Sequence, residues 1–248
     1  MQKENWECFK KIKSRYKNET EKLAGKLPQL KLLQQELINK HSPVYQVETP
    51  LVYNSSLDDI NSDSDIRLIL VADNPGRREQ AAENRRYLVG PSGKIAENFF
   101  RNNPFLKIDF RKNVIILNKT PIHTPRTVQL RDLCRLGASD LKEALEESQK
   151  LMAALLFEFQ QALSSKSNLI PVWITGYSEM KKGGIFEVYT NELKKIYKGP
   201  SFKDSVFLFR HFSMNQFTID LKKQTIPGES LTKTLKRIGT AYREKYLW

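Results

Sequence analysis

Ile66-Arg67-Leu68-Ile69-Leu70-Val71-Ala72-Asp73-Asn74-Pro75-Gly76 is the stretch that decides the fold. Its first seven residues are apolar apart from one Arg, rich in Ile, Leu and Val, and short. They stop abruptly at four turn-forming residues. A run of this kind reads as a strand buried on both faces of a parallel sheet. Three more such runs follow, Val114–Leu117, Ile170–Thr175 and Ser205–Phe209. Helical patterns separate and follow them over Gly93–Arg101, Asp140–Leu163, Phe186–Tyr197 and Ser230–Tyr246. Alternating strand and helix predicts an α/β chain, a three-layer α/β/α sandwich around a mainly parallel four-stranded sheet.

Upstream, residues 1–50 read as an N-terminal helical extension packed on a main domain of residues 51–248. Trp6, Phe9, Ile12, Tyr16 and Leu23 recur at three- and four-residue steps. Pro28 stands where a second helix starts, ahead of Leu30, Leu33, Leu37 and Ile38. The acidic stretch Ser55–Asp65 reads as a solvated loop, because its aspartates lack the spacing of a calcium loop.

The 248 residues hold 41 Lys and Arg against 28 Asp and Glu, a net charge of +13. A surplus of that size suits a polyanion, and nucleic acid is favoured over mere solubility. A membrane is disfavoured: no run of 18 apolar residues occurs, and Met1–Asn5 lacks the apolar stretch of a signal peptide. Cys8 and Cys134 make no disulfide framework and are too few for an iron–sulfur cluster or a four-thiolate zinc site. No metal and no cofactor is expected, and the location expected is the reducing cytoplasm.

Ligands of parallel α/β sheets bind beyond the carboxyl ends of the strands. Those ends read Asp73-Asn74-Pro75-Gly76, Asn118-Lys119-Thr120, Gly176-Tyr177-Ser178 and Arg210-His211-Phe212-Ser213-Met214-Asn215. They offer amides, a carboxylate and an imidazole, but no nucleophile elbow, no Cys beside a His and no phosphate-binding Gly-rich loop. Such groups hold a water, read the edge of a heterocycle and stabilise a leaving anion.

In order and approximate spacing these motifs resemble the uracil-DNA glycosylase superfamily, over roughly residues 66–246. Ala72-Asp73-Asn74-Pro75-Gly76 is similar to the GINPG form of its first motif. Tyr87-Leu88-Val89-Gly90-Pro91-Ser92-Gly93 resembles PFVGxAG, Ile115-Ile116-Leu117-Asn118 the strand whose Asn reads uracil, and His211-Phe212-Ser213-Met214 the HPSP motif. Ala72, Leu88 and Phe212 depart from the usual Gly, Phe and Pro. The two cysteines exclude the iron–sulfur branches.

The resemblance implies hydrolysis of the N-glycosidic bond of a flipped-out deaminated base, uracil above all, in base excision repair, by a monomer acting on DNA. Asn74 would position the attacking water and Asp73 supply negative charge. His211 would donate to the departing base. Asn118 would bind the base edge, with Tyr87, Leu88 and Gly76 around the base and Tyr87 standing in for the stacking Phe. Ser92 and Gly93, at a helix start, Arg77, Lys119 and Arg126, and the loop Ser213, Met214 and Asn215 would hold DNA. His123 would at most approach DNA, and His41 lies in the extension. Much of the surplus charge would border the edge formed by Asn74, Asn118 and His211. Two rivals stay open: a nucleic-acid-binding module that does not cleave, and an α/β enzyme acting on free nucleotides or nucleosides.

Overall fold

The computed structural model describes residues 3–40, 43–165 and 168–248; His41 lies outside them. Their sheet has four parallel strands: β1 (Leu68–Ala72), β2 (Val114–Asn118), β3 (Val172–Thr175) and β4 (Val206–Phe209), in the order β2-β1-β3-β4. β1, β2 and β3 are buried along their whole length. That is why they read as unbroken apolar runs instead of an alternation. The architecture is the α/β/α sandwich expected from the sequence.

Side-chain alternation along the strands builds one core on each face. Ile69, Val71, Ile115, Leu117, Val172 and Ile174 join one cluster with Phe9, Tyr16, Phe159 and Leu193. These come from α1 (Lys3–Lys26), α5 (Ala138–Leu163) and α6 (Glu187–Ile196). Leu68, Leu70, Ala72, Val114, Ile116 and Trp173 face the other way, against Phe99, Phe100, Phe217 and Ile238. These lie on α3 (Pro91–Arg101), α8 (Gln216–Gln224) and α9 (Leu231–Tyr246).

The N-terminal α1 shares the first core. Phe9 is fully buried, its ring 5.2 Å from that of Phe159, and Arg15 pairs with Glu158 at 2.6 Å. After α2 (Leu30–Asn39) the chain crosses back toward the sheet. There Leu51 bridges Ile122 antiparallel, and the Val52 N–H donates to the Pro121 carbonyl at 2.9 Å. Gln34 of α2 donates to the carbonyls of Pro50 (2.9 Å) and His123 (2.8 Å), so the N-terminal segment clamps the loop that follows β2.

Three helices fall where no helical pattern was expected: α4 (Gln129–Leu136), α7 (Pro200–Asp204) and α8. All are shorter than 10 residues, too short to display a full stripe. The acidic loop begins with a 3-10 turn at Ser55–Asp59 and spends its charge locally: Asp58 pairs with Lys13, Asp59 with Arg86 and Asp65 with Arg67. Among the described residues no helix is long and apolar enough to cross a membrane, and no group of three His, Cys, Asp or Glu could hold a metal ion.

Candidate active site

The connections from β1 and β3 run to opposite sides of the sheet, since β2 lies on one flank and β4 on the other. A crevice opens at such a reversal, beyond the carboxyl ends of the strands. Here it is a cleft of about 620 Å³. Asp73, Asn74 and Gly76 form one wall and Leu88 and Ser92 another, and His211, Ser213 and Met214 complete the lining. Arg77, Arg78 and Arg126 stand on the rim, and among the described residues none of the three has an ion-pair partner.

Lys119, expected at the surface, is instead completely buried. Its ammonium lies 2.5 Å from Asp73 Oδ1 and donates to the Thr175 carbonyl at 2.6 Å, which ties the ends of β1, β2 and β3 together. Burial pulls its pKa down, and Asp73 opposes that pull. Gly176 makes room for the pair: a Cβ there would sit 2.5 Å from Asp73 Oδ1, and its φ of +78° favours glycine.

Asn74 is held at both ends of its amide. The Thr124 hydroxyl donates to the Arg126 carbonyl at 2.9 Å, so it can only accept from Asn74 Nδ2, also at 2.9 Å. This fixes the flip of the amide. Asn74 Oδ1 then faces the Thr127 hydroxyl at 3.1 Å, and the same hydroxyl lies 3.2 Å from Asp73 Oδ2.

His211 is half-buried. The backbone N–H of Ser213 donates to its Nδ1 at 3.0 Å. Its neutral form therefore carries the proton on Nε2, as a donor. Burial lowers its pKa, with Asp73 opposing and Lys119 reinforcing the shift. The chain beyond it turns through two left-handed residues, Met214 (φ 52°) and Asn215 (φ 59°). Met214 is 84% exposed at the mouth of the cleft, and Asn215 is exposed beside it without lining the cleft.

Several expected positions are elsewhere. The Tyr87 hydroxyl donates to the Val52 carbonyl at 2.5 Å and lies 2.6 Å from that of Tyr16, so its ring is core and stacks on nothing in the cleft. The left-handed residue Leu88 (φ 53°) faces the cleft in its place. Gly93 is buried and packs rather than binds: a Cβ would lie 1.5 Å from the Leu88 carbonyl oxygen. Ser92, by contrast, lies in the first turn of α3, whose N-cap is Gly90, and does line the cleft. Asn118 pairs in register with Ala72 and shares its face of the sheet, one strand away from the cleft wall. It is 1% exposed, and neither atom of its amide has a hydrogen-bond partner.

His123 is not a DNA-facing residue. Its Nδ1 donates to the Pro75 carbonyl at 2.8 Å, so its Nε2 accepts from the Tyr45 hydroxyl at 2.9 Å. Burial drops its pKa from 6.5 to about 4. Nothing in the sequence pointed to Glu79, which joins two walls of the cleft. Its carboxylate accepts from the N–H groups of Gly76 (3.0 Å) and Leu88 (2.8 Å), and burial pushes its pKa up to about 7.

These two groups make opposite contributions to stability. The unfolded imidazole gains a proton as pH falls through 6.5, whereas the folded one waits until about 4. Stability from His123 therefore declines over that window as pH falls, by up to about 3 kcal/mol. Glu79 holds its proton up to about 7 in the fold, against 4.5 unfolded, so its contribution declines as pH rises. Urea unfolding of wild type and His123→Gln separates them. The difference in stability between the two proteins should shrink by about 3 kcal/mol from pH 6.5 to pH 4. A constant difference would mean that the ring titrates normally in the native state.

The surplus of positive charge is not confined to the cleft. The three rim guanidiniums border it, but α1 alone carries eight cations against four carboxylates, far along the chain.

No family model and no curated protein matches the chain. What the cleft can do follows from its own groups. It presents a neutral, fixed imidazole donor and a fixed amide oxygen beside a carboxylate already neutralised by an ammonium. Its rim is cationic. Such a cleft offers hydrogen bonds to a polar group and favours negative charge at its rim and beside its imidazole.

Proposed function

We propose that the chain is a DNA glycosylase that hydrolyses the N-glycosidic bond of a flipped-out deaminated base, uracil foremost. The observation that carries this reading is the convergence in one cleft of His211 Nε2–H and the Asn74 amide under a rim of three arginines without ion pairs. The guanidiniums take phosphates, which positions the strand without reading sequence. The extruded base enters the cleft, at an unstacking cost smallest for a mismatched or single-stranded base. His211 donates to a carbonyl oxygen of the base as negative charge gathers there. Asn74 Oδ1 holds the water that attacks the sugar. The exposed Met214 fills the gap left in the stack. The reaction belongs in the cytoplasm, where Cys8 and Cys134 stay reduced.

One observation favours a rival. With Tyr87 in the core, no Phe, Tyr or Trp among the described residues lines the cleft to stack on a base. A module that grips nucleic acid without cleaving would tolerate that loss. A gel assay decides. Labelled oligonucleotides carrying uracil, hypoxanthine or xanthine, single-stranded and paired, are incubated with the protein and then with alkali. Alkali-labile breaks that vanish in Asn118→Ala and His211→Ala support the glycosylase. Intact strands held tightly in low salt point to the module, and neither cleavage nor binding points to a free nucleotide as substrate.

Two further results are expected. Asn74→Asp should cleave at least as fast as wild type, because a carboxylate holds water and also accepts its proton; abolished cleavage in a folded variant would remove Asn74 from that role. Arg77→Ala, Arg78→Ala and Arg126→Ala should each lower the slope of log affinity against log salt by about one, uniformly across sequences. An unchanged slope would take that side chain off the phosphate path.

A further inference from the structure

An amide can hold a water but cannot take its proton, which leaves the hydrolysis one proton acceptor short. We propose that Thr127 is a catalytic residue that relays the proton of the attacking water to the carboxylate of Asp73. The proposal rests on the glycosylase reading above.

Its geometry is specific. Thr127 lines the cleft together with Asp73 and Asn74. Its single hydroxyl lies 3.1 Å from Asn74 Oδ1 and 3.2 Å from Asp73 Oδ2, so it reaches both the water-holding oxygen and a carboxylate. Thr124, the other hydroxyl on Asn74, is unavailable because its proton is committed to the Arg126 carbonyl. The acceptor is also held in place. Lys119 grips Asp73 Oδ1 and is itself anchored on the Thr175 carbonyl, which keeps Oδ2 turned toward Thr127.

The step balances. The water oxygen forms a bond to the anomeric carbon, the carbon–nitrogen bond breaks, and its electron pair leaves with the base toward His211. The proton released by the water passes to Thr127 Oγ1, and the proton already on Oγ1 passes to Asp73 Oδ2. Thr127 ends as it began. No oxidant, reductant or co-reactant enters.

Single-turnover cleavage of a uracil-containing oligonucleotide tests the relay, with affinity measured separately on an undamaged strand of the same length. Thr127→Val should slow cleavage by about a hundredfold or more, with binding unchanged. Thr127→Ser should stay within about threefold of wild type, since it keeps the hydroxyl. Adding Asn74→Asp to Thr127→Val should restore most of the rate, because a carboxylate at that position takes the proton directly. A role in packing alone predicts no such rescue. A folded Thr127→Val that cleaves like wild type overturns the relay, and so does a double variant no faster than Thr127→Val. Should Thr127→Val fail to fold, the wild type itself serves: two protons in flight bow the plot of rate against deuterium fraction of the solvent, and a straight plot overturns the relay. A wild-type protein that leaves every deaminated base in place overturns the glycosylase reading itself, a result distinct from all of these.

Discussion

His211→Ala is expected to cleave a uracil-containing strand about a hundred- to a thousandfold more slowly than wild type, with affinity for undamaged DNA within about twofold. The size follows from what the imidazole is asked to do. It meets charge that develops only as the bond to the base breaks, so its loss falls on the chemical step and not on binding. The donor is ready beforehand. Ser213 N–H points at Nδ1 at 3.0 Å, which holds the ring in one tautomer with Nε2–H free. A second proton on Nδ1 would face that N–H donor to donor, and burial already lowers the pKa. The ring is therefore neutral at pH 7, and acidification should not raise the rate by creating an imidazolium. His211→Gln, which keeps an N–H donor, should recover part of the loss. Single-turnover kinetics of the three proteins check this. An Ala variant as fast as wild type would remove His211 from catalysis.

The second large effect concerns stability. Asp73→Ala is expected to cost about 3–5 kcal/mol, because it strands a fully buried ammonium. Lys119 can escape only by shedding its proton. Doing so at pH 7 from an ordinary 10.5 costs about 5 kcal/mol, which caps the damage. Lys119→Met should cost less. It leaves Asp73 with 14% of its side chain exposed and able to recruit water, and the Thr127 hydroxyl still within 3.2 Å. The double variant Lys119→Met with Asp73→Ala should be more stable than Asp73→Ala alone, since no charge is left without a partner. Urea unfolding of the four proteins tests it. A double variant no more stable than Asp73→Ala would mean that the ammonium is solvated in the native state.

The strands were legible because parallel strands buried on both faces leave unbroken apolar runs, and their observed limits lie within two residues of those read from the sequence. The carboxyl-end loops carrying Asp73, Asn74 and His211 followed from the strands. What each polar side chain does there was less legible. Lysine is usually exposed, so Lys119 read as a surface cation. Only the fold brings it to Asp73, 46 residues away. Tyr87 and Leu88 are neighbours, and a left-handed φ at Leu88, invisible in composition, decides which of them faces the cleft. Thr124, Thr127 and Glu79 belong to the site through pairings across loops, and their residue types alone carry no such signal.

The packing of Phe9 and Arg15 on α5 has a consequence for how the chain is made. Arg15 meets Glu158 across 143 residues of sequence. A ribosome adding roughly 5–20 residues per second takes about 7–30 s to cover that distance. Throughout that interval the apolar stripe of α1 has emerged and its partner helix does not yet exist. The many lysines of its outer face give that waiting segment a charged coat, and with it a nascent chain less prone to clump before α5 arrives to cover it.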